Sequence, residues 1–377
     1  MIRVAFATRA TDETGGAEES LALLVRHLPP DFERHAILFG EGRYAARLRS
    51  YGTNVHVVPV AADLLETTRE RPSIGGAMAL PRSISAVGRL LRRERIDVVH
   101  TNTVKAHLVV IPAARTSGVG SVMHVRDIVE GVGRTMVRGL GRIAGGRIAI
   151  SSAVAAWYRM PNTHVIPNPV ELAAYEVMPD RADARARLGI GGTEPVVAIV
   201  GRINRWKQHD MFLRIVARVA RTRPLQCAIV GEARFRDADF VPELHALAES
   251  LGIRDRTHFV PWQDDVRLIY AATDVLCNCS VREPFGRTIV EAAAAGVPSV
   301  AFDDGGAPDI IEDGRTGFLV PAGDEAAFAN ALVALLDPDR RAAFASAARS
   351  SAHRFGAEEH AQSVATFLRA CSAARKQ

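Results

Sequence analysis

Two glutamates, Glu283 and Glu291, stand eight residues apart and are the first candidates for chemistry in this chain. Pro284 and Gly286 between them indicate a loop, and a helical pattern begins near Thr288. The N-terminus of such a helix offers backbone N–H groups and a positive dipole end, where a diphosphate can bind. A carboxylate on either side could then accept hydrogen bonds from hydroxyl groups. On spacing alone, two surface glutamates beside a loop remain the favoured interpretation.

Two cations, Arg202 and Lys207, follow a hydrophobic run that ends at Gly201. We expect them at the carboxyl end of a strand, where ligands of parallel sheets bind. Arginine forms bidentate bonds with phosphate oxygens and lysine acts as a compact point charge, so the pair could stabilise a departing diphosphate. Only three of the 47 basic residues are lysine, which modestly favours a specific role for Lys207. A pair of exposed surface cations is the alternative.

Two weaker signals lie in the first half of the chain. Gly15 and Gly16, between the first predicted strand and helix, would let the backbone approach a ligand closely or form an ordinary turn. The chain lacks G-x-G-x-x-G at this position and has no G-x-x-x-x-G-K-[ST], which disfavours a nicotinamide-dinucleotide or P-loop site. His124 and Asp127 follow a strand-like run and could contact a sugar or an acceptor. A structural histidine fits the spacing at least equally well.

The elements that must position these residues alternate between strands and helices, which predicts parallel sheets covered on both faces. The pattern restarts after a proline-rich junction near residue 168. We therefore predict an α/β fold of two doubly wound domains, 1–167 and 168–355. Residues 356–377 contain a helix that could cap the second domain or pack back on the first. The predicted strands are 2–8, 35–39, 55–60, 97–100, 119–124 and 147–151, then 195–201, 227–231, 258–261, 275–279, 299–302 and 318–321.

The composition of the 377 residues, 48% hydrophobic and 24% charged, is that of a folded protein with a sizeable core. No apolar run approaches the length of a membrane span and no signal peptide is evident, so the sequence predicts a cytoplasmic protein. Up to Pro167 the chain has 22 basic and 14 acidic residues. This excess fits an anionic partner or the inner face of a membrane, although a solvated arginine-rich surface fits as well. Four cysteines without zinc spacing indicate buried thiols.

Several segments together resemble motifs of the GT-B-fold retaining glycosyltransferases of family 4, the glycosyl transferases group 1. Pro169 stands where the family has glycine, and Asp309 where it has glutamate. The matching segments are Val165–Val170, Gly201–Lys207, Glu283–Glu291, Gly305–Asp309 and Asp313–Val320.

This resemblance implies two Rossmann-like domains facing each other across a cleft, with a nucleotide-diphosphate sugar mainly on the second domain. It implies catalytic roles for Glu283 at the sugar, for Arg202 and Lys207 at the diphosphate, and for His124 on the sugar and acceptor side. It also implies that Glu291 binds the ribose and that Gly16 approaches the diphosphate. The segment of Gln263 and Asp265 would contact the base. The sugar and phosphates would be bound by the backbone of Phe285, Gly286, Arg287 and Thr288.

The family's reaction is retaining and uses neither a metal nor another cofactor. The acceptor implied by the resemblance is a small natural product, a lipid or a polysaccharide precursor, and nucleic acid is not expected as a partner. The oligomeric state stays open. A nucleotide-sugar epimerase or sugar phosphorylase on the same fold is the alternative enzyme, and an inactive sugar-nucleotide sensor the non-enzymatic one.

Overall fold

The structure is a computed structural model that describes residues 1–9, 15–60, 74–233 and 237–373. These residues form two compact units. The first contains the chain up to Pro169 and again from Ala357, and the second contains Val170–Gly356. Each unit is built around its own parallel sheet.

The first unit alternates short strands with helices. Residues of β1 alternate between the sheet faces: Val4 and Phe6 pack in one apolar cluster, Ala5 and Ala7 in another. Helices therefore cover both faces, which explains why most residues of β1 are apolar. The elements are β1 Ile2–Thr8, α1 Gly16–His27, β2 Phe32–Leu38, α2 Arg43–Ser50, β3 Asn54–Val57, α3 Ile74–Arg93, β4 Val98–Thr101, α4 Val104–Ser117, β5 Gly120–Val125, α5 Gly131–Ile143, β6 Gly146–Ala149, α6 Ser152–Tyr158 and β7 Thr163–Val165.

The second unit repeats this architecture around a core that includes Ile199, Phe212, Ile229 and Val300. Its elements are α7 Arg181–Arg187, β8 Val196–Val200, α8 His209–Ala220, β9 Gln226–Val230, α9 Phe240–Ser250, β10 Thr257–Val260, α10 Val266–Ala272, β11 Val275–Asn278, α11 Arg287–Ala295, β12 Ser299–Phe302, β13 Gly317–Val320, α12 Glu325–Leu336 and α13 Pro338–Ala352.

Both sheets reverse their strand order beside the strand that begins each unit. Among the described residues, the first sheet has the order β3-β2-β1-β4-β5-β6-β7 and the second β10-β9-β8-β11-β12-β13. In doubly wound sheets, ligands bind beyond the carboxyl ends of the strands at this reversal. The relevant loops follow β1 and β4 in the first unit, and β8 and β11 in the second.

The C-terminal helix α14, Ala357–Ala373, packs on the first unit. Val364 and Leu368 are buried in the same apolar cluster as Val4 and Phe6. Two strand glycines make room for the helix: a Cβ on Gly120 would lie 2.8 Å from the Cys371 carbonyl oxygen, and one on Gly146 would lie 2.5 Å from the Phe367 ring. The alternative left open by the sequence, a cap on the second domain, is not what the structure adopts.

The prediction of two doubly wound α/β domains is confirmed, with shifts at the ends of elements. Strand β7 was not predicted, because its three residues lie against the proline-rich junction. Helix α3 contains Pro81 within its span. Cys227, Cys277 and Cys279 are buried as predicted, whereas Cys371 is half-buried. None of the helices described is both long enough and apolar enough to cross a membrane.

Candidate functional site

Lys207 and Glu283 form an ion pair at the strand reversal of the second sheet. The Lys207 Nζ donates to Glu283 Oε2 at 2.8 Å, and each side chain is 13% exposed. Lys207 follows β8 and Glu283 follows β11, two adjacent strands whose carboxyl ends meet at one edge. The fold thus joins two residues that lie 76 positions apart in the sequence.

Local backbone geometry holds Lys207 over the end of β8. Gly201 has a φ of 135°, and a Cβ there would lie 3.1 Å from Lys207 Cε. The following turn, Arg205–Lys207, is capped by Asn204, whose side-chain oxygen accepts from the Lys207 backbone N–H. The same turn is fastened to the loop after β11, because the Val281 N–H donates to the Trp206 carbonyl at 3.0 Å.

Arg202 lies at the same end of β8, and its side chain is exposed. Among the residues described, no carboxylate or other polar group binds its guanidinium. Arg205, three positions later, differs: it forms a two-pronged ion pair with Glu243 on α9. Arg202 is therefore a cation available to an anionic ligand, and Arg205 is engaged by the protein.

The loop that carries Glu283 leads into the N-terminus of α11, and two glycines after β12 support it. The Gly306 N–H donates to the Glu283 carbonyl at 2.8 Å. A Cβ on Gly305 would lie 2.1 Å from that carbonyl oxygen, and one on Gly306 would lie 2.5 Å from the Phe285 Cα. Phe285 is buried, with its ring edge-on to Phe355. Any contact of Phe285 with a ligand must therefore use its backbone.

Helix α11 begins at Arg287, after Gly286 in the left-handed region with a φ of 102°. Glu291, one turn later, is held from two sides: the Arg287 Nε donates to its Oε1 at 2.7 Å, and the Tyr270 hydroxyl donates to its Oε2 at 2.9 Å. Burial, together with the Glu291 charge, raises the pKa of Tyr270 well above its usual range, so its hydroxyl stays a donor. Sequence reasoning found Glu291 but missed Tyr270, which lies 21 residues earlier.

The predicted base-binding segment follows β10 at the edge of the same sheet. Gln263 donates from its amide to the Pro261 carbonyl at 3.0 Å. Asp265 caps α10 by accepting from the Arg267 N–H, and it also pairs with the Arg267 guanidinium, which lowers the pKa of Asp265. Both side chains are engaged within their own loop, and the role of this segment at the base stays a prediction. Strand β10 lies two strands from β8, about 10 Å away at ordinary strand spacing.

The first unit has a buried polar cluster at the end of β4 and β5. His124 is fully buried, with its Nδ1 3.0 Å from His100 Nε2, and burial keeps its pKa well below the usual value. Arg126, two residues later, donates to the side-chain oxygens of Asn102 and Asn168. The role of His124 at the sugar and acceptor stays a prediction. Arg126 lies within the segment His124–Asp127, but the sequence pattern there did not predict a role for it.

Gly16 is exposed at the start of α1, and Asn102 donates to the carbonyl of the next residue, Ala17, at 3.1 Å. Gly15 caps the helix, and its N–H donates to Glu18 Oε2 at 3.2 Å. Burial raises the pKa of Glu18. The helix start is thus tied to the end of β4, at the strand reversal of the first sheet. Thr14, which precedes these glycines, lies outside the described residues.

Two sequence families match consecutive parts of the chain. Residues 14–174 match Glycosyltransferase Family 4, and residues 180–351 match Glycosyl transferases group 1. Curated relatives include the D-inositol 3-phosphate glycosyltransferases of Nocardia farcinica and Segniliparus rotundus. The first is 41% identical over 47% of this chain and 40% of its own length. The second is 32% identical over 75% of this chain and 63% of its own length. The match therefore spans less than two thirds of either relative.

Solved structures match over nearly the whole chain. Anabaena HepE, crystallised in complex with UDP and glucose and also with UDP-glucose, is 27% identical; the match covers 98% of this chain and all of HepE, with TM-scores of 0.83 and 0.82. Sucrose-phosphate synthase from Thermosynechococcus elongatus has a TM-score of 0.79 at 20% identity, covering 99% of this chain and all of that one. The latter supports the fold alone.

Proposed function

The chain belongs to glycosyltransferase family 4 and has the GT-B fold, and from this premise we propose that it moves a sugar from a nucleotide-diphosphate sugar to an acceptor hydroxyl. We further propose that the reaction retains the configuration of the anomeric carbon and needs no metal ion. The observation that carries the proposal is the Lys207–Glu283 pair beside the exposed Arg202, at the strand reversal of the second unit.

The donor that we propose is a uridine-diphosphate hexose. Its support is the likeness to HepE, which is described in complex with UDP and with UDP-glucose. The chemistry of the second unit is compatible with this class of donor, because it offers cations for a diphosphate and carboxylates for hydroxyl groups. UDP-glucose is therefore the first donor to assay.

The diphosphate is proposed to bind between Arg202, Lys207 and the N-terminal turn of α11. Helix N-termini present backbone N–H groups and a positive dipole end to anions. The leaving group gains negative charge as the glycosidic bond breaks, and positioned cations stabilise that charge most in the transition state. Glu283 holds the Lys207 ammonium in position and leaves its own second oxygen for a sugar hydroxyl. In this account the two cations supply the charge that a metal would otherwise provide.

The nucleoside is proposed to bind through Glu291 and the loop of Gln263 and Asp265. Each Glu291 oxygen accepts one hydrogen bond from the protein, and a carboxylate oxygen has room for a second. The two ribose hydroxyls can therefore donate to Glu291 without displacing Arg287 or Tyr270. The base would meet the loop backbone, because the two side chains are occupied.

The acceptor is assigned to the first unit, with Gly16 near the diphosphate and His124 on the sugar and acceptor side. These two roles rest on the family resemblance. The curated relatives are named D-inositol 3-phosphate glycosyltransferases, so an inositol phosphate is the first acceptor to test. Small natural products, lipids and polysaccharide precursors follow. Contact of the protein with a membrane surface is proposed only for the case in which the acceptor is a lipid.

The proposal is tested by replacing the two cations one at a time. We expect Lys207→Ala and Arg202→Ala each to lower UDP release from UDP-glucose by about 10²–10³-fold, as loss of one transition-state donor does. Arg205→Ala is the matched control, because Arg205 lies in the same turn but pairs with Glu243. We expect it to stay within about twofold of wild type, since exposed ion pairs contribute little. The melting temperatures of Arg202→Ala and Arg205→Ala should stay near that of wild type, whereas Lys207→Ala should melt lower, because it leaves Glu283 unpaired and only 13% exposed.

Near-wild-type turnover by the double variant of Arg202 and Lys207 would contradict the assignment. The metal-free part is tested separately, by assaying transfer after EDTA treatment below the melting temperature of the chelated protein. Activity that disappears and returns only with a divalent ion would contradict that part alone. The anomeric configuration of the product, read by NMR, decides retention.

A further inference from the structure

Two histidines and a glutamate lie together in the first unit, away from the residues used above. His35 lies on β2 and His56 on the neighbouring strand β3, at the edge of the sheet. His56 pairs in register with Ile37, which shares a sheet face with His35. Glu94 follows the end of α3 and lies close to both rings. His35 and His56 lie on β2 and β3, whereas Asn102 and Arg126 follow β4 and β5, on the other side of β1.

The geometry of this cluster suits chelation. One ligand atom from each of the three residues lies within 4.8 Å of the other two. His35 Nδ1 and His56 Nε2 are 3.0 Å apart, and their rings are parallel within 6°. Two nitrogens bound to one tetrahedral ion at about 2.0–2.1 Å would stand roughly 3.3 Å apart. The separation of the two nitrogens is therefore within a few tenths of an ångström of that value.

The surroundings of His35 orient it as ligand-binding histidines are oriented. His35 Nε2 lies 3.0 Å from Glu33 Oε1, and the Arg3 Nε donates to Glu33 Oε2 at 2.9 Å. A carboxylate on one ring nitrogen places the proton there and leaves the other nitrogen as an electron-pair donor. The donor of His35 is thus Nδ1, which faces His56. Metal-bound histidines usually donate their other ring N–H to a carboxylate, a backbone carbonyl or water.

The remaining two groups can also act as ligands. The His56 Nε2 atom, 3.0 Å from the His35 Nδ1 atom, brings a second imidazole nitrogen to the cluster. Glu94 is paired with Arg93, which is 71% exposed, and such surface pairs contribute little to stability. Glu94 can therefore turn its carboxylate to an ion at little cost. Two imidazoles and one carboxylate favour a first-row divalent ion over Mg²⁺ or Ca²⁺, which take oxygen ligands.

We propose that His35, His56 and Glu94 form a binding site for a divalent transition-metal ion of the Zn²⁺ class. A water molecule is the natural fourth ligand of such a three-residue set. The bound ion would join β2, the edge strand β3 and the end of α3, and so would stabilise this side of the sheet. A metal-free hydrogen bond between the two histidines is the competing interpretation, and binding experiments separate the two.

The experiment uses untagged full-length protein, cleared of metal with EDTA and returned to chelator-free buffer at pH 7.5. Zn²⁺ affinity is measured by competition with a chromophoric chelator, and Co²⁺ is added separately to record its visible absorption. We expect one tightly bound Zn²⁺ per chain, a higher melting temperature with Zn²⁺, and the intense absorption of four-coordinate Co²⁺. Because the readouts are binding and stability, they do not depend on the proposed transferase reaction.

His56→Ala and the nearly isosteric Glu94→Gln should each abolish the tightly bound Zn²⁺. The fall in Zn²⁺ affinity should exceed the roughly 10–100-fold that loss of an outer hydrogen-bond partner costs. Glu33→Gln, the outer partner of His35, should weaken binding by about that 10–100-fold itself. The matched controls are His27→Ala and Glu41→Gln, which lie in the same unit outside the cluster, and they should bind like wild type. Equal Zn²⁺ affinity in wild type, His56→Ala and Glu94→Gln would overturn the proposal. It would also be overturned if the wild-type protein bound no Zn²⁺ ion tightly.

Discussion

At the scale of the residue, Glu291 depends on a partner that makes no contact with a nucleotide in the proposed scheme. Replacing Tyr270 by Phe removes the hydroxyl that donates to Glu291 Oε2 and keeps the ring. A hydrogen bond to a charged group contributes about 1.5–3 kcal/mol, which corresponds to roughly 10–100-fold in binding. We expect KM for UDP-glucose to rise by up to that factor with kcat nearly unchanged, because ribose binding is uniform between ground and transition states.

The matched control is Tyr51→Phe, which removes a hydroxyl that accepts from the Arg47 Nε in the first unit. It should leave KM for UDP-glucose unchanged. If Tyr270→Phe instead lowers kcat at constant KM, Glu291 does not act as the ribose ligand. Initial-rate measurements over a range of UDP-glucose concentrations distinguish these results.

The sequence predicted the charged residues of the site better than the residues that support them. Lys207 and Glu283 were predictable, because each follows a strand that ends at the same edge of a parallel sheet. Their 2.8 Å contact was not, since it depends on the adjacency of β8 and β11. Tyr270 lies on the apolar helix α10, and nothing in its own segment indicates that its hydroxyl reaches α11.

At the scale of the element, a buried carboxylate ties together the amino ends of β8 and β11. Asp274 accepts from the Val196 N–H at 2.8 Å and from Arg185 at 3.1 Å, and it also pairs with Arg181 and Arg341. Its side chain is only 2% exposed. Removing one partner of a buried ion pair costs about 3–5 kcal/mol, because the opposite charge stays buried. We expect Asp274→Ala to lower the free energy of unfolding by about that amount in urea titrations.

Asp183→Ala is the control for this prediction, since Asp183 pairs with Arg187 at 3.9 Å on the surface. It should change the free energy of unfolding by less than about 1 kcal/mol. A loss of similar size in both variants would mean that Asp274 does not join the two strands in the way described. Arg185 is the partner left buried in the Asp274 variant, and burial already lowers its pKa.

The existence of the elements was more predictable than their pairing or their ends. Apolar runs such as Val196–Val200 predict buried strands because parallel sheets are covered on both faces. The sequence could not predict that Gly305 and Gly306 are required beneath Glu283 and Phe285, since that contact joins loops from two strands. It also gave no sign of β7, whose three residues become a strand only by pairing with β6.

At the scale of the whole molecule, the division into two α/β units was predictable and the path of the C-terminus was not. The strand–helix alternation restarts after the proline-rich junction, which predicts two sheets. Helix α14 has an apolar face that either unit could have covered. The choice follows from long-range fit: Gly120 and Gly146 leave room for Phe367 and Cys371. These glycines are 200 or more residues from the helix, so no local pattern connects them to it.

Two buried histidines make the stability of the first unit dependent on pH. The Nδ1 atom of His360 on α14 donates to the Pro167 carbonyl at 2.7 Å, and the Nδ1 atom of His107 on α4 lies 2.7 Å from the Thr101 Oγ1 atom. Burial, with a smaller effect of the Arg126 charge, lowers the pKa of each histidine to about 3. In the unfolded chain both titrate near pH 6.5, so below that pH the unfolded state binds more protons and the folded state loses stability. From pH 7 to pH 5 the loss is about 2 kcal/mol for each histidine.

Urea unfolding of the full chain at pH 7, 6 and 5 measures this loss, with the signal of the first unit followed by hydrogen exchange at its core strands. The raised pKa of Glu18 acts in the opposite direction, because the folded state then binds the extra proton. The variant His360→Gln therefore isolates one histidine: its loss between pH 7 and pH 5 should be smaller than that of wild type by about 2 kcal/mol. His27→Gln, outside the buried cluster, should keep the wild-type dependence. If the free energy of unfolding had the same pH dependence in wild type and His360→Gln, His360 would not be held neutral in the folded protein. The hydrogen bond from α14 to the Pro167 carbonyl would then not be made by a neutral imidazole.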